Sequence, residues 1–467
     1  MSIRNLAKKL PYPVKQNLKY IYGKIPLSIR YGKVFHDTYK FLLESQWWSK
    51  ERLKEYQWSQ LSRLLDYCYK KVPYYQKVFR ELRAIPRDIK TQKDFEKIPF
   101  LTKDIVRERL DELLPEGVNR SKLIYFTTGG STGMPLGLYK ERRSNIIEQA
   151  FMFAQWSRVC YKPGDSRVIL RGEVVTKNKL YEYQPLNNAW LFSSYHLSPK
   201  YIKILVNKLN SIKPNFLHVY PSSLWVFTNL MNENHLKLAF SPQAILCGSE
   251  NLYPFQRELF EKIFKCRVYS WLGLAEGTIL AGECEKKNNL HIFSEYSYVE
   301  LIGRNGDVII EGEKEGEIVG TNLRNYVTPF IRYKTGDIAS YANGKCECGR
   351  NYKLLGKVDG RLQNMIILED GKIIPLTAII FGQHFTAFDK IKKMQIEQKE
   401  TGKIIIRLIK SPKFTREDEE EMRRKIDTAT NNSLSVEFEY VNDISRTQTG
   451  KNKFLIQHLP IKYYNSI

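Results

Sequence analysis

The sequence predicts an α/β protein in which a large N-terminal α/β domain with a β-rich subdomain precedes a small α+β C-terminal domain. Three observations support this class. The chain has 467 residues, more than one ordinary hydrophobic core holds. Helix and strand patterns alternate from 200 to 275, the pattern of a parallel layer covered by helices. From 290 to 355 the pattern changes to short strands with glycine turns.

Residues 35–120 read as helices, with Leu61, Leu64, Leu65 and Cys68 on one face and Pro73 ending the run. In the alternating region, expected helices at Tyr201–Ile212, Ser222–Asn232 and Pro254–Phe264 are interleaved with expected strands at Asn215–Val219, Ala244–Cys247 and Arg267–Trp271. In the C-terminal domain, 365–467, Lys393–Gln398 and Ile404–Ile409 are expected to pair as a hairpin across Thr401-Gly402. Thr415 opens a helix with Asp418 three residues on, the spacing of a capping box. Ser435–Tyr440 then alternates as a strand.

Lysine and arginine outnumber aspartate and glutamate 74 to 50, a formal charge of +24. Nucleic-acid binding is the first class such a balance raises. The lysines, however, are spread along the chain among Asn and Tyr, so no nucleic-acid partner is expected. The segment Met1–Lys33 is more specific: it has no acidic residue and interleaves Lys and Arg with Leu, Ile, Tyr and Pro. A basic amphipathic arm of this kind can lie on an anionic membrane; the alternative is a solvated arm packed on the body. No run of eighteen apolar residues is present, and the N-terminus lacks the apolar core of a secretory signal. The seven cysteines form no disulfide ladder. The expectation is a cytoplasmic protein, peripheral to the inner face of the membrane if the arm makes that contact.

The densest chemical signal is the run Thr127, Thr128, Gly129, Gly130, Ser131, Thr132 and Gly133, directly after the apolar stretch Leu123–Phe126. Gly129, Gly130 and Gly133 let successive backbone N–H groups face one concavity, a nest for anions. The hydroxyls of Thr127, Thr128, Ser131 and Thr132 add donors for phosphate oxygens. With no Gly-Lys-Ser/Thr following, it is not a Walker loop.

Thr128–Pro135 resembles the ATP-phosphate loop of adenylate-forming enzymes, the superfamily of acyl-CoA synthetases, luciferases and peptide-synthetase adenylation domains; Leu136 stands where many members have Lys. Further motifs follow in the family's order. Leu272-Gly-Leu-Ala-Glu276 resembles the aromatic-Gly-x-x-Glu motif, which implies that Glu276 holds Mg²⁺, Gly273 lies beside the nucleotide, and Trp271 offers the flat face for adenine. Gly248-Ser249-Glu250 resembles the strand end that closes over that ring. Tyr333-Lys-Thr-Gly-Asp337 resembles Tyr-Arg-Thr-Gly-Asp, making Asp337 the ribose-hydroxyl acceptor. Gly360-Arg-Leu-Gln-Asn364 resembles the hinge about which a mobile C-terminal domain pivots, with Arg361 touching ribose or phosphate. The resemblance thus sets the domains at 1–360, a hinge at 361–364, and 365–467. A competing hinge register runs through Lys357-Val-Asp359. Thr447-Gln-Thr-Gly-Lys451 matches the segment whose lysine bridges carboxylate and α-phosphate, with Lys453 as the fallback.

Within the superfamily the chain resembles the phenylacetate–CoA-ligase-like branch associated with capsular polysaccharide biosynthesis, through Leu64–Tyr75, Ser193–Ser198 and Ser445–Lys451. The resemblance implies an AMP-forming ligase that uses ATP and Mg²⁺, activates a small carboxylic acid as its adenylate, and passes the acyl group to coenzyme A by default. An amine acceptor on a sugar or amino acid is the alternative. A remote one is a non-catalytic basic membrane- or nucleic-acid-binding protein. By position among relatives, His196 lines the acyl site and is a catalytic candidate, with His218 and Tyr220 beside it.

Cys346-Glu-Cys348 sits on a turn between Gly344 and Gly349, and Cys284 precedes His291 by seven positions. Two such half-sites make the Cys₃His set that suits a closed tetrahedral Zn²⁺ site. Similar cysteines occur in relatives of this branch. The alternative is four unrelated side chains.

Overall fold

A computed structural model describes residues 27–127, 136–171, 179–286, 288–361, 365–380, 390–445 and 453–461, with single positions between 14 and 25 and between 383 and 387. The strands in chain order are β1 (Ile124–Thr127), β2 (Gly137–Lys140), β3 (Arg167–Leu170), β4 (Tyr181–Gln184), β5 (Ala189–Phe192), β6 (Phe216–Val219), β7 (Ala244–Gly248), β8 (Arg267–Gly273), β9 (Leu280–Gly282), β10 (Leu290–Ile292), β11 (Ser297–Ile302) and β12 (Val308–Ile309). They continue with β13 (Glu315–Asn322), β14 (Tyr333–Tyr341), β15 (Leu354–Arg361), β16 (Met365–Ile367), β17 (Ile373–Pro375), β18 (Ile391–Glu400), β19 (Lys403–Lys410), β20 (Ser435–Tyr440) and β21 (Leu455–Gln457).

The chain forms two compact units, each discontinuous in sequence: 1–40, 149–269 and 445–452 in one, 41–148, 270–444 and 453–467 in the other. In the first, strands run in the order β7-β6-β3-β5-β4. β3 pairs in parallel with both β5 and β6, β6 with β7 in parallel, and β4 closes the edge antiparallel to β5. The helices Pro199–Ile212, Pro221–Glu233 and Pro254–Phe264 each begin on a proline, whose fixed φ and missing N–H suit the first turn. Strand and helix therefore alternate as the sequence predicts.

In the second unit β12-β11-β13-β14-β15-β10-β9 are all antiparallel, and β9 pairs with the Trp271–Gly273 end of β8. Helix Lys50–Lys71 presents Leu61, Leu64, Leu65 and Cys68, each at most 1% exposed, to a core shared with Leu323, Phe330, Ile331 and Tyr333. Burying a large apolar side chain is worth about 1.5–3 kcal/mol, so this face anchors the helix to the sheet. Pro73 does not merely stop that helix. It opens the next one, Pro73–Glu81, whose Tyr75 hydroxyl donates to the Pro329 carbonyl and accepts from the Ile331 N–H, both at 3.0 Å.

A four-stranded sheet of order β20-β19-β18-β21 follows the β16/β17 hairpin. β18 and β19 are antiparallel across Thr401-Gly402, where Gly402 takes φ +74°; β19/β20 and β18/β21 are parallel. Helix Arg416–Thr430 carries the expected capping box: the Thr415 N–H donates to Asp418 Oδ2 at 2.8 Å. Residues 362–364 of the expected hinge lie outside the described residues.

Candidate active site and a Cys/His cluster

The phosphate-loop candidate is the connection of a hairpin. β1 ends at Thr127, opposite Gly137 of β2. The nest residues between them, Thr128, Gly129, Gly130, Ser131, Thr132 and Gly133, lie outside the described residues, as do Met134 and Pro135. The hairpin is tied to the second motif by Lys140, the last residue of β2. Its ammonium donates to the Ala275 carbonyl at 2.7 Å and lies 4.2 Å from the Phe126 ring centre. Burial lowers the Lys140 pKa, and the carboxylates of Glu148 and Glu276 oppose that shift. Buried Glu148 accepts from the Tyr296 hydroxyl at 2.6 Å; desolvation raises its pKa against that bond and Lys140.

Glu276 sits on the turn after β8 and is 7% exposed. Its Oε1 accepts from the Tyr333 hydroxyl at 3.4 Å, a long contact, and its backbone carbonyl accepts from Asn322 Nδ2 at 2.9 Å. Tyr333 opens β14, and Asp337 follows on the same strand, 5% exposed, with its N–H on Thr335 Oγ1 at 3.0 Å. Arg361 closes β15 in register with Asp337. Trp271 and Gly273 lie at the end of β8, Trp271 7% exposed. The second unit thus gathers the Thr127 hairpin, Gly273, Glu276, Asp337 and Arg361. A buried carboxylate with a long contact to a tyrosine hydroxyl, carried on the turn that Lys140 ties to the hairpin, suits Mg²⁺ held jointly with substrate phosphates. Lys451 lies outside the described residues; the carbonyl of Lys453 accepts from Gln395 Nε2 at 3.2 Å.

In the first unit the carboxyl ends of β3, β6 and β7 converge. Gly248 ends β7, and Ser249 takes φ +67°. Arg171, just past β3, meets Ser249 Oγ at 2.7 Å and His218 Nε2 at 2.7 Å, and lies 5.0 Å from the Tyr220 ring centre. Burial, then Arg171 and Arg167, push the His218 pKa well below its usual value, so the imidazole is neutral and accepts from the guanidinium. Glu250 is committed to the start of helix Pro221–Glu233, accepting from the Ser222 N–H at 3.0 Å and Oγ at 3.1 Å. His196 bonds Ser193 through Nδ1 at 2.7 Å and meets the Tyr201 ring edge-on. Sequence reasoning missed Lys140 and Arg171. The signal available for Arg171 was a cation directly after the apolar run Val168–Leu170.

Cys284, His291, Cys346 and Cys348 meet, with all four ligand atoms within 4.8 Å of one another and every side chain buried. Cys284 Sγ lies 3.5 Å from Cys346 Sγ, and Cys348 Sγ 3.2 Å from His291 Nε2. Ligands of a tetrahedral zinc at about 2.3 Å would stand roughly 3.8 Å apart, so the donor set and spacing fit that ion. The register explains the meeting: β10, which carries His291, lies between β9 and β15, whose loops carry the cysteines. Gly344 (φ +78°) and Gly349 (φ +81°) let the turn present both thiols inward.

Residues 366–458 match the family model described as CapK C-terminal domain. Protein CapK of Staphylococcus aureus is 26% identical over 460 residues, covering 95% of this chain and 97% of that protein. A phenylacetate-coenzyme A ligase of Thermus thermophilus is 22% identical over 338 residues, 70% of this chain and 74% of that one. Among solved structures, 2-hydroxyisobutyryl-CoA ligase in complex with R3-HIB-AMP superposes with a TM-score of 0.69 at 20% identity, over 87% of this chain and 90% of that one; the likeness is one of fold. Motif order, fold and near-full-length sequence similarity agree on an adenylate-forming, phenylacetate–CoA-ligase-like protein related to CapK.

Proposed function

We propose that this AMP-forming ligase activates a small carboxylic acid as an acyl-adenylate and transfers the acyl group to coenzyme A, in the context of capsule synthesis. The similarity to phenylacetate-coenzyme A ligases over 70% of the chain carries this reading. Both the attacking carboxylate and the α-phosphate are anions, so the task is charge neutralisation and in-line placement rather than proton removal. The nest from Thr127 through Gly129 and Gly130 to Gly133 binds phosphate oxygens, Asp337 orients the ribose, and Lys451 bridges carboxylate and α-phosphate. Mg²⁺, when bound at Glu276, supplies charge for the phosphates. Tyr333 and Asn322 hold Glu276 in place. Rotation about 361–364 then withdraws Lys451 and opens the acyl carbonyl to the thiol. Arg171, His218 and Tyr220 form one wall of the acyl pocket, with His196 near it.

A carboxylate screen read by ATP–pyrophosphate exchange tests the first half-reaction. AMP release with and without coenzyme A tests the second; release stimulated by an amine but not by coenzyme A would replace the thiol acceptor. Zinc at Cys284, His291, Cys346 and Cys348 is proposed as a closed, stabilising site. The basic arm is proposed as a peripheral contact with anionic membrane, supported by the exposure of Val14, Leu18, Ile21 and Ile29 among its described residues.

A further inference from the structure

A cavity of about 430 Å³ opens in the first unit at the amino ends of β3 and β5, the opposite ends from Arg171 and Ser249. Arg30, Tyr31, Phe153, Tyr161, Arg167 and Tyr183 line it. Arg167, the first residue of β3, is 7% exposed. One of its terminal nitrogens donates to the Tyr161 hydroxyl at 2.5 Å, while its buried Nε has no hydrogen-bond partner among the described residues. Arg30 donates to two backbone carbonyls, Ile25 at 2.9 Å and Leu186 at 2.6 Å. Neither guanidinium meets a carboxylate among the described residues.

Burying a charge is costly unless an opposite charge accompanies it. Here two fixed cations share one cavity, and their described partners are a hydroxyl, two carbonyls and the faces of aromatic rings, Tyr22 and Tyr31 for Arg30 and Trp156 and Tyr161 for Arg167, none of which carries a negative charge. Both guanidinium charges favour ionisation of the Tyr31 hydroxyl, yet burial prevails and raises its pKa. Burial likewise pushes Tyr161 up to about 12, so both phenols stay protonated as donors. Two guanidinium charges match a dianionic phosphoryl group better than a single carboxylate. Around them Phe153 and the tyrosines supply flat apolar walls for the body that carries the phosphate.

We propose that this cavity is a second ligand site that takes the phosphoryl group of a small molecule, on a soluble phosphate ester or a lipid headgroup. Calorimetric titration of the full chain with phenyl phosphate, in saturating AMP to occupy the nucleotide site, tests it. The expected result is saturable binding of one equivalent, weakened about tenfold or more in Arg30→Gln and in Arg167→Gln, the change one charge-assisted hydrogen bond carries. Arg30 is less buried, so its variant keeps the test valid if Arg167→Gln misfolds. Competition by vesicles containing phosphatidic acid assigns the site to a lipid headgroup, and its absence assigns a soluble ester. No saturable binding, or binding unchanged in Arg30→Gln, would overturn the proposal. Because the readout is dependence on these two arginines, it stands apart from whether the chain is a ligase.

Discussion

Gly320 of β13 is the position at which a single methyl group should disable the proposed magnesium site without touching it. A Cβ there would lie 2.1 Å from the Thr278 carbonyl oxygen, 2.7 Å from Thr278 Cβ and 2.8 Å from its carbonyl carbon. Two of these three atoms are backbone, so no rotamer change relieves the overlap. The turn from Leu274 to Ile279, which carries Glu276, must retreat by about 1 Å, and a displacement of that size at a reacting centre can cost about 10²-fold in rate. The overpacking itself should cost about 1–3 kcal/mol of stability. Gly320→Ala is therefore expected to remain folded, melt a few degrees lower, and lose about two orders of magnitude in ATP–pyrophosphate exchange with the best carboxylate of the screen. Folded Gly320→Ala with exchange equal to the parent would refute the coupling between this packing and the turn that carries Glu276.

Cys346→Ser should release zinc measured by elemental analysis. A link between Cys284 and Cys346, 62 residues apart, is worth about 4 kcal/mol by loop-closure entropy, or roughly 4 °C in melting temperature at this size; a metal-free parent that melts as high as the zinc-loaded one ends the idea. Lys451→Ala should lower exchange by about 10²–10³ while ATP binding persists, and undiminished exchange would move the role to Lys453. Asp418 has a folded pKa below its usual value: burial opposes the shift, but the Lys390 ammonium at 2.7 Å and the Thr415 N–H prevail. Its contribution is therefore present above the unfolded pKa of about 3.9 and lost as pH falls through the folded value. Asp418→Asn should destabilise in urea melts at pH 7 by about 1 kcal/mol and progressively less in acid; a penalty independent of pH would assign the effect to packing.

Features that depend on near neighbours along the chain are readable without any fold. The buried face of Leu61, Leu64, Leu65 and Cys68, the Thr415/Asp418 capping box, the hairpin across Gly402 and the alternation around β6 and β7 are all set by periodicity or by a turn residue. The motif segments around Thr127, Glu276 and Asp337 are likewise short and contiguous, and so legible. β3 and β5 were not, because these four-residue runs, unlike β6, lie outside the 200–275 alternation with helices; parallel pairing with distant strands makes them central to their layer. Which segments meet was legible only once the chain was folded. β10 brings His291 to the cysteines because it lies between β9 and β15. Lys140 reaches Ala275, and Arg171 reaches His218 and Ser249, across gaps of 135, 47 and 78 residues. Arg30 and Arg167 likewise come to share one cavity from distant segments. Side-chain period is a property of a few consecutive dihedral angles, whereas convergence depends on strand order and register, which are fixed by burial summed over the whole fold.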